Sequence, residues 1–205
     1  EIKLAALSCM VDYAFPNQYI SESVKAQNPD LVFFAGDQIY ESVAGYNVVR
    51  THSDADVPRA SLNYLQKYWL FGWSFRDVLK DRPSVIIPDD HDVYHGNIWG
   101  QGGAAMPKEA KSTSSFGGYN MHPKFVNMVQ RTQVSHLPDP FNPTPAKQGI
   151  TVYYTELNVA RDAQPRPRPG LSPRLMCMRR PRSAAAGTPS LTTYRRRPSR
   201  RRQAA

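Results

Sequence analysis

The chain has 205 residues, enough for one domain with a sizeable core, and its 40% hydrophobic content excludes a wholly disordered protein. No apolar run approaches the roughly 20 residues that cross a bilayer, so no transmembrane segment is expected. The net charge of +9 is uneven: residues 161–205 hold 13 of the 26 basic residues, all of them arginine, and a single acid. The preceding residues are therefore slightly acidic, and the basic charge belongs to the C-terminal tail.

The first part of the chain alternates predicted strands and helices. Residues 2–7 indicate a strand, and apolar residues four apart predict a short amphipathic helix over 18–28. The apolar run at 31–35 then indicates a buried strand. A strand, a helix and a strand within about 35 residues predict a βαβ unit with parallel strands and a right-handed crossover.

Aromatic and aliphatic residues recur at helical spacing over 61–80, which predicts a helix packed on the sheet, with Trp69 and Trp73 as core residues. Residues 84–87 indicate the next strand. The remaining predictions are a Gly/Ala/Ser-rich loop at 100–118, a helix at 125–130, an extended connector at 137–149 and a strand at 150–158.

Acidic residues follow two of these strands directly. Asp37 comes just after the strand at 31–35, and the run Asp89-Asp90-His91-Asp92 follows the strand at 84–87. In open α/β sheets, ligands bind at the carboxyl ends of the strands. Carboxylates crowded at one edge repel one another unless a cation lies between them, and carboxylate oxygens are preferred ligands of hard metal ions. The sequence therefore predicts a metal-dependent hydrolase.

The motifs GDQIYE at 36–41 and PDDHDVYHGNIWG at 88–100 resemble those of the PhoD-like alkaline phosphatases, within the metallophosphoesterase group. The stretches at 131–140 and 148–160 are also similar, so the resemblance covers about residues 1–160. It implies an α/β metallophosphoesterase-like sandwich of mixed sheets flanked by helices, and hydrolysis of phosphate esters as an alkaline phosphatase or phosphodiesterase. It also implies iron and calcium as cofactors and an exported or cell-surface location, although the sequence shows no signal peptide.

The resemblance also implies metal ligands. Asp37 resembles the carboxylate that bridges the metals, Tyr40 a phenolate ligand of ferric ion, and Cys9 a thiolate ligand. Asp90 stands where many metallophosphoesterases have an asparagine ligand, and Asn97 is a further metal or phosphate contact. Taken alone, Cys9 is equally a small buried hydrophobe, and Tyr40 a residue packed against the sheet edge.

Catalytic roles follow from the same comparison. His91 resembles the histidine that contacts the phosphate and protonates the leaving oxygen, and Asp92 is expected to orient it. Asn97 and Arg131 are the candidate substrate contacts, although Arg131 is equally explained by an ion pair with a nearby acid. The other histidines are expected in loops, at the surface or in structural roles, namely His52, His95, His122 and His136.

Residues 161–205 have a composition typical of disordered chains, with seven prolines and runs of arginine. They are either a basic arm attracted to RNA or membranes, or not a native part of the protein, because arginine without lysine is what a GC-rich gene read in a wrong frame produces. A non-enzymatic protein that binds nucleic acid through this tail is the alternative function. Tyr194 is the only aromatic residue among those arginines, which argues against specific recognition of nucleic acid.

The tail also lacks the later metal-ligating aspartate and histidine motifs of the PhoD-like family. The chain is therefore expected to be a truncated relative with impaired or no activity. A sensor or scaffold that keeps the fold without catalysis is a third interpretation.

Overall fold

The computed structural model describes residues 2–10, 14–98, 102–107 and 117–158, together with the backbone of 174–176. It is an α/β structure with a small parallel sheet flanked by helices, which confirms the predicted class. None of the described helices combines the length and apolar character that crossing a bilayer requires. The elements are β1 (Leu4–Leu7), α1 (Gln18–Gln27), β2 (Leu31–Phe34), α2 (Val57–Ser74), α3 (Arg76–Leu79), β3 (Ser84–Ile86), α4 (Pro123–Val134), β4 (Glu156–Asn158) and β5 (Arg174–Met176).

The first three strands form one parallel sheet in the order β1-β2-β3. Leu4 pairs with Leu31, and Val32 pairs with Ser84. The predicted unit of two parallel strands joined by a helix is therefore confirmed for β1, α1 and β2. Because all three strands run in one direction, the segments that follow them meet at the same edge of the sheet.

Aromatic side chains join the sheet to the helices. The fully buried ring of Phe34 lies edge-on to Phe71 at 5.0 Å and to Phe75 at 5.2 Å between centroids. Tyr64 of α2 contacts Phe125 of α4 in the same way at 5.9 Å. Such pairs contribute about 0.5–1.5 kcal/mol each beyond the burial of their area, so they give the sheet edge a rigid support.

The helix predicted over 61–80 is two helices. α2 begins earlier, at Val57, and ends at Ser74, because Phe75 has non-helical backbone angles (φ −101°, ψ 10°) that separate it from α3. The prediction of Trp69 and Trp73 as core residues is wrong, since they are 62% and 53% exposed. The helical period turns them outward, away from the side of α2 that the core buries.

The C-terminal predictions hold only in part. The strand predicted over 150–158 is limited to β4, because the residues before it are irregular. β4 pairs antiparallel with β5, which lies in the tail predicted to be disordered. The rest of that tail lies outside the described residues. Most of the loop predicted at 100–118 also lies outside them. The five described strands form one parallel sheet and one antiparallel pair, and neither of these is a mixed sheet. The metallophosphoesterase-like sandwich of mixed sheets therefore stays a prediction.

Candidate metal centre

The segments that follow β1, β2 and β3 approach one another closely. The backbone N–H of Cys9 donates to the carbonyl of Gly36 at 3.2 Å, and that of Met10 donates to the carbonyl of Asp37 at 3.0 Å. Gly36 has φ +100°, and a Cβ at this position would lie 2.4 Å from the Cβ of Asp89. A glycine is therefore required where the loop after β2 passes the loop after β3.

Two residues with side chains adopt left-handed backbone conformations at this edge. Cys9 has φ 54° and Asp37 has φ 58°. A non-glycine residue in this region costs on the order of 1–3 kcal/mol, and such residues cluster at functional sites. The surrounding structure holds both residues in this conformation, at the edge where Asp90 and His91 also lie.

Several metal-binding side chains converge on Asp37. The Cys9 thiol lies 3.5 Å from Asp37 Oδ2, and the Tyr40 hydroxyl donates to the same oxygen at 3.2 Å. Asp37, Asp90 and His91 form a group that could hold a metal ion, since one ligand atom of each lies within 4.8 Å of the others. The structure thus brings together four predicted ligands. Cys9 is exposed, so its interpretation as a buried hydrophobe is wrong.

The electrostatics of this cluster fit a bound cation. Burial raises the pKa of Asp90, and the charge of Asp37 raises it further. Burial and the charge of Asp90 do the same for Asp89, and burial together with Asp37 raises the pKa of the Tyr40 hydroxyl. A cation among these oxygens would favour their charged forms. Carboxylate, phenolate and thiolate donors together suit a transition metal beside a harder ion.

Glu41 holds His91. Its carboxylate oxygens lie 3.0 and 3.2 Å from Nδ1 of His91, whose ring stacks on Tyr40 at 4.4 Å between centroids. The hydrogen bond that His91 donates to Glu41, supported by the charge of that carboxylate, raises the pKa of His91 to about 9 despite partial burial. Burial alone would raise the pKa of Glu41, but the hydrogen bond and charge of His91 outweigh burial and lower it.

The predicted partner of His91 is therefore wrong: Glu41, rather than Asp92, contacts the ring. Asp92 is fully buried, because it lies beneath the loops rather than beside the imidazole. Burial raises its pKa to about 7, although hydrogen bonds to its oxygens act in the opposite direction. These bonds come from the backbone N–H groups of Asp37, Ile39 and Asp89 and from Nε2 of Gln133, at 2.8–3.0 Å. Asp92 thus fastens the loops after β2 and β3 to each other and to α4.

Two cations near Glu41 were not predicted. Lys67 is fully buried in α2, and its Nζ donates to the Glu41 carbonyl at 2.7 Å and lies 4.5 Å from the centre of the Tyr94 ring. Arg50 Nη1 donates to the Tyr94 carbonyl at 2.9 Å, and its charge helps to lower the pKa of Glu41. Lys67 could not be predicted from the sequence, because only the structure shows that Tyr64 and Lys67 lie on the buried side of the helix.

A cleft of about 360 Å³ opens beside the cluster. Asn97 shares the cleft with Asp89 and Asp90, as its predicted role in binding metal or substrate requires. Gln130 lines the cleft, whereas its neighbour Arg131, the predicted substrate contact, is an exposed residue that is not among the described lining residues. The other lining residues are Pro88, Val93, Ile98 and Tyr119.

Of the remaining histidines, His95 donates its backbone N–H to the carbonyl of Asp90 at 3.1 Å, and two others have contacts away from this cluster. His122 pairs with Asp54 at 2.9 Å, and His136 Nε2 lies 3.2 Å from the Ser84 carbonyl, which are structural roles, as expected. His95 lies in the loop after β3, where it is fully buried.

Comparison of the chain with protein-family models, with curated proteins and with solved structures finds no match. The resemblance to PhoD-like phosphatases therefore stays a prediction, and the function must be argued from the geometry of the site.

Proposed function

We propose that this chain is a metal-dependent hydrolase of phosphoric esters, acting as a phosphatase or phosphodiesterase. The observation that carries the proposal is the convergence of Cys9 and Tyr40 on one oxygen of Asp37, beside Asp90 and His91. Neighbouring carboxylates disfavour each other's ionised forms, and a left-handed backbone at a residue with a side chain also costs free energy. Stability alone therefore does not explain why these acids lie together here. The resemblance of the two motifs to PhoD-like enzymes supports the same function.

Asp37, Asp90, Cys9 and Tyr40 are the residues that would hold the metal ions, with Asn97 at the adjoining cleft. Iron suits the thiolate and phenolate donors, and calcium suits the carboxylate oxygens. When bound, such ions act as Lewis acids and supply hydroxide near neutral pH. The protein contributes the arrangement of the donors, because their loops are held together by Gly36 and Asp92.

His91 is the proposed general acid. Since Glu41 accepts the hydrogen on Nδ1, the proton on Nε2 is the one that His91 can give to the leaving oxygen. In the metal-free chain, its pKa of about 9 keeps the imidazolium form at neutral and mildly alkaline pH. Glu41 is a positioning residue, because it acts on the substrate only through the His91 ring.

Arg50 is a second proposed source of positive charge for the anionic ester, beside Arg131, because its charge acts on Glu41. Neither arginine is among the described residues that line the cleft. The carbonyl of Tyr94 anchors the Arg50 guanidinium on the side of Glu41. Arginine binds phosphate oxygens through charge-assisted hydrogen bonds, which is the role proposed for Arg50.

The experiment is the hydrolysis of 4-nitrophenyl phosphate and bis(4-nitrophenyl) phosphate by the full chain with iron and calcium. Asp37→Asn should abolish turnover, whereas Asp81→Asn, which changes an exposed acid elsewhere, should leave it unchanged. Equal rates in the three proteins would refute the proposal. Binding of metal without turnover of either ester would instead identify a metal-binding protein that has lost catalysis.

A further inference from the structure

Lys67 is a basic residue in the interior of the protein. It lies on the buried side of α2, with Tyr64 and Phe71 on the same side, and its side chain is fully buried. Burial of an ammonium group costs free energy that an apolar side chain of the same length avoids. Packing of the core therefore does not by itself explain a lysine at this position.

The Lys67 ammonium holds the backbone of Glu41. Its Nζ donates to the Glu41 carbonyl at 2.7 Å, which is a charge-assisted hydrogen bond. The carboxylate of the same glutamate lies 3.0 Å from Nδ1 of His91. A shift of the Glu41 backbone would move this carboxylate away from the imidazole, and the bond from Lys67 opposes such a shift.

The same ammonium contacts the turn that carries His91. It lies 4.5 Å from the centre of the Tyr94 ring, a distance at which a cation is attracted to an aromatic face. Tyr94 closes the 3-10 turn His91–Val93, because its backbone N–H donates to the His91 carbonyl at 2.9 Å. One buried side chain therefore contacts both Glu41 and the end of the turn that begins with His91.

We propose that Lys67 is a positioning residue for the general acid: from the core, it keeps the Glu41 carboxylate on Nδ1 of His91. Lys67 is not among the described residues that line the cleft, so it acts on the ester only through this pair. The catalytic part of this role rests on the proposed function, whereas the hold on the pair can be tested without a substrate. A purely structural lysine would leave the bond between Glu41 and His91 intact in any variant that folds.

The first test uses NMR on the metal-free full chain at neutral pH. The hydrogen on Nδ1 of His91 is observable when its hydrogen bond to Glu41 slows exchange with water. Lys67→Met removes the ammonium and keeps the length of the side chain, and Lys67→Gln places an amide donor on a shorter one. Val78→Ala is the control, since Val78 is fully buried in α3 and tests the effect of a cavity elsewhere in the core. Circular dichroism establishes that each variant is folded.

The Nδ1 hydrogen should be observed in the wild type and in Val78→Ala, and it should be lost in Glu41→Gln and in both Lys67 variants. Its retention in a folded Lys67 variant would overturn the proposal, as would its absence from the wild type. Its loss in Val78→Ala would show that any defect in the core releases the pair. Failure of both Lys67 variants to fold would make Lys67 a structural residue. Each of these two results would also overturn the proposal.

The second test compares hydrolysis of phenyl phosphate and 4-nitrophenyl phosphate. A general acid assists the poorer leaving group, phenolate, more strongly. In the folded Lys67 variants, kcat should therefore fall about fivefold more for phenyl phosphate than for 4-nitrophenyl phosphate, with the iron content unchanged. The same difference is expected in Glu41→Gln, and adding Lys67→Met to that variant should lower kcat no further, because both residues act through one ring.

Equal losses of kcat for the two esters, or a further loss in the double variant, would overturn the positioning role. If the wild type hydrolyses neither ester, the proposed function fails. The NMR comparison then still decides whether Lys67 holds Glu41 on His91, so the two failures are distinguishable.

Discussion

The sheet edge and the outer side of α2 organise their side chains in opposite ways. At the edge, polar side chains make several hydrogen bonds. Asp92 accepts hydrogen bonds from four N–H groups, and Glu41 accepts one from His91. On α2, Trp69 and Leu62 are large, apolar and exposed. A substitution at the edge therefore breaks a network that holds two loops, whereas a substitution on α2 removes little that the fold needs. The two regions therefore differ in how much of the fold depends on each side chain.

The largest loss of stability expected for a single variant is that of Asp92→Asn, for which Trp69→Ser is the comparison. Asp92→Asn turns an NH₂ group toward donors that need an acceptor, which should lower the free energy of unfolding by about 3 kcal/mol. Trp69→Ser should change it by about 0.5 kcal/mol or less, because the ring is mostly exposed. Urea unfolding of the metal-free chain measures both values. Similar losses in the two variants would remove the distinction between the regions.

A second contrast compares two glycines. Gly36→Ala should destabilise the chain by about 2–3 kcal/mol, because the new Cβ meets Asp89 and the backbone has positive φ. Gly72→Ala in α2 has open space around the new methyl group and should stabilise the chain by about 0.5–1 kcal/mol. Thermal unfolding should therefore shift in opposite directions. Tolerance of alanine at position 36 would mean that the two loops do not approach as closely as described.

A third comparison concerns the pair of Glu41 and His91. In the metal-free chain, NMR should give His91 a pKa of about 9, falling toward its ordinary value near 6.5 in Glu41→Gln. Because the folded-state pKa is raised, the pair stabilises the fold fully below pH about 6.5, and this contribution is lost as the pH rises through about 9. We also expect kcat to fall about tenfold in Glu41→Gln. The pH above which kcat declines should be lower in this variant than in the wild type.

Glu22→Gln is the matched control for that variant, since Glu22 is exposed on α1. It should leave the His91 titration and kcat unchanged. An unaltered His91 pKa in Glu41→Gln would show that the carboxylate does not control the imidazole.

Much of the sheet and the meeting of Asp37 and Asp90 at its edge could be predicted because the signals are local. An apolar run followed directly by Asp37 or Asp90 specifies a strand end with its carboxylate, and parallel pairing then brings these strand ends together. The partner of His91 could not be predicted in this way. Asp92 is adjacent in sequence, but only the path of the chain after β2 shows that Glu41 reaches the ring.

The outward side of α2 was missed for a different reason. The helix has apolar residues on two sides, with Tyr64 and Phe71 on one and Leu62 and Trp69 on the other. Periodicity predicts the helix but does not show which side meets the core. The break at Phe75 was also hidden, because the residues after it continue the apolar pattern.

The most direct test of the central claim is the metal content of the full chain after incubation with iron and calcium, beside Asp37→Asn and Asp81→Asn. The proposed centre predicts near-stoichiometric iron in the wild type and in Asp81→Asn, and its loss in Asp37→Asn. Equal metal in all three proteins, or none in any of them, would contradict a metal centre at this edge of the sheet.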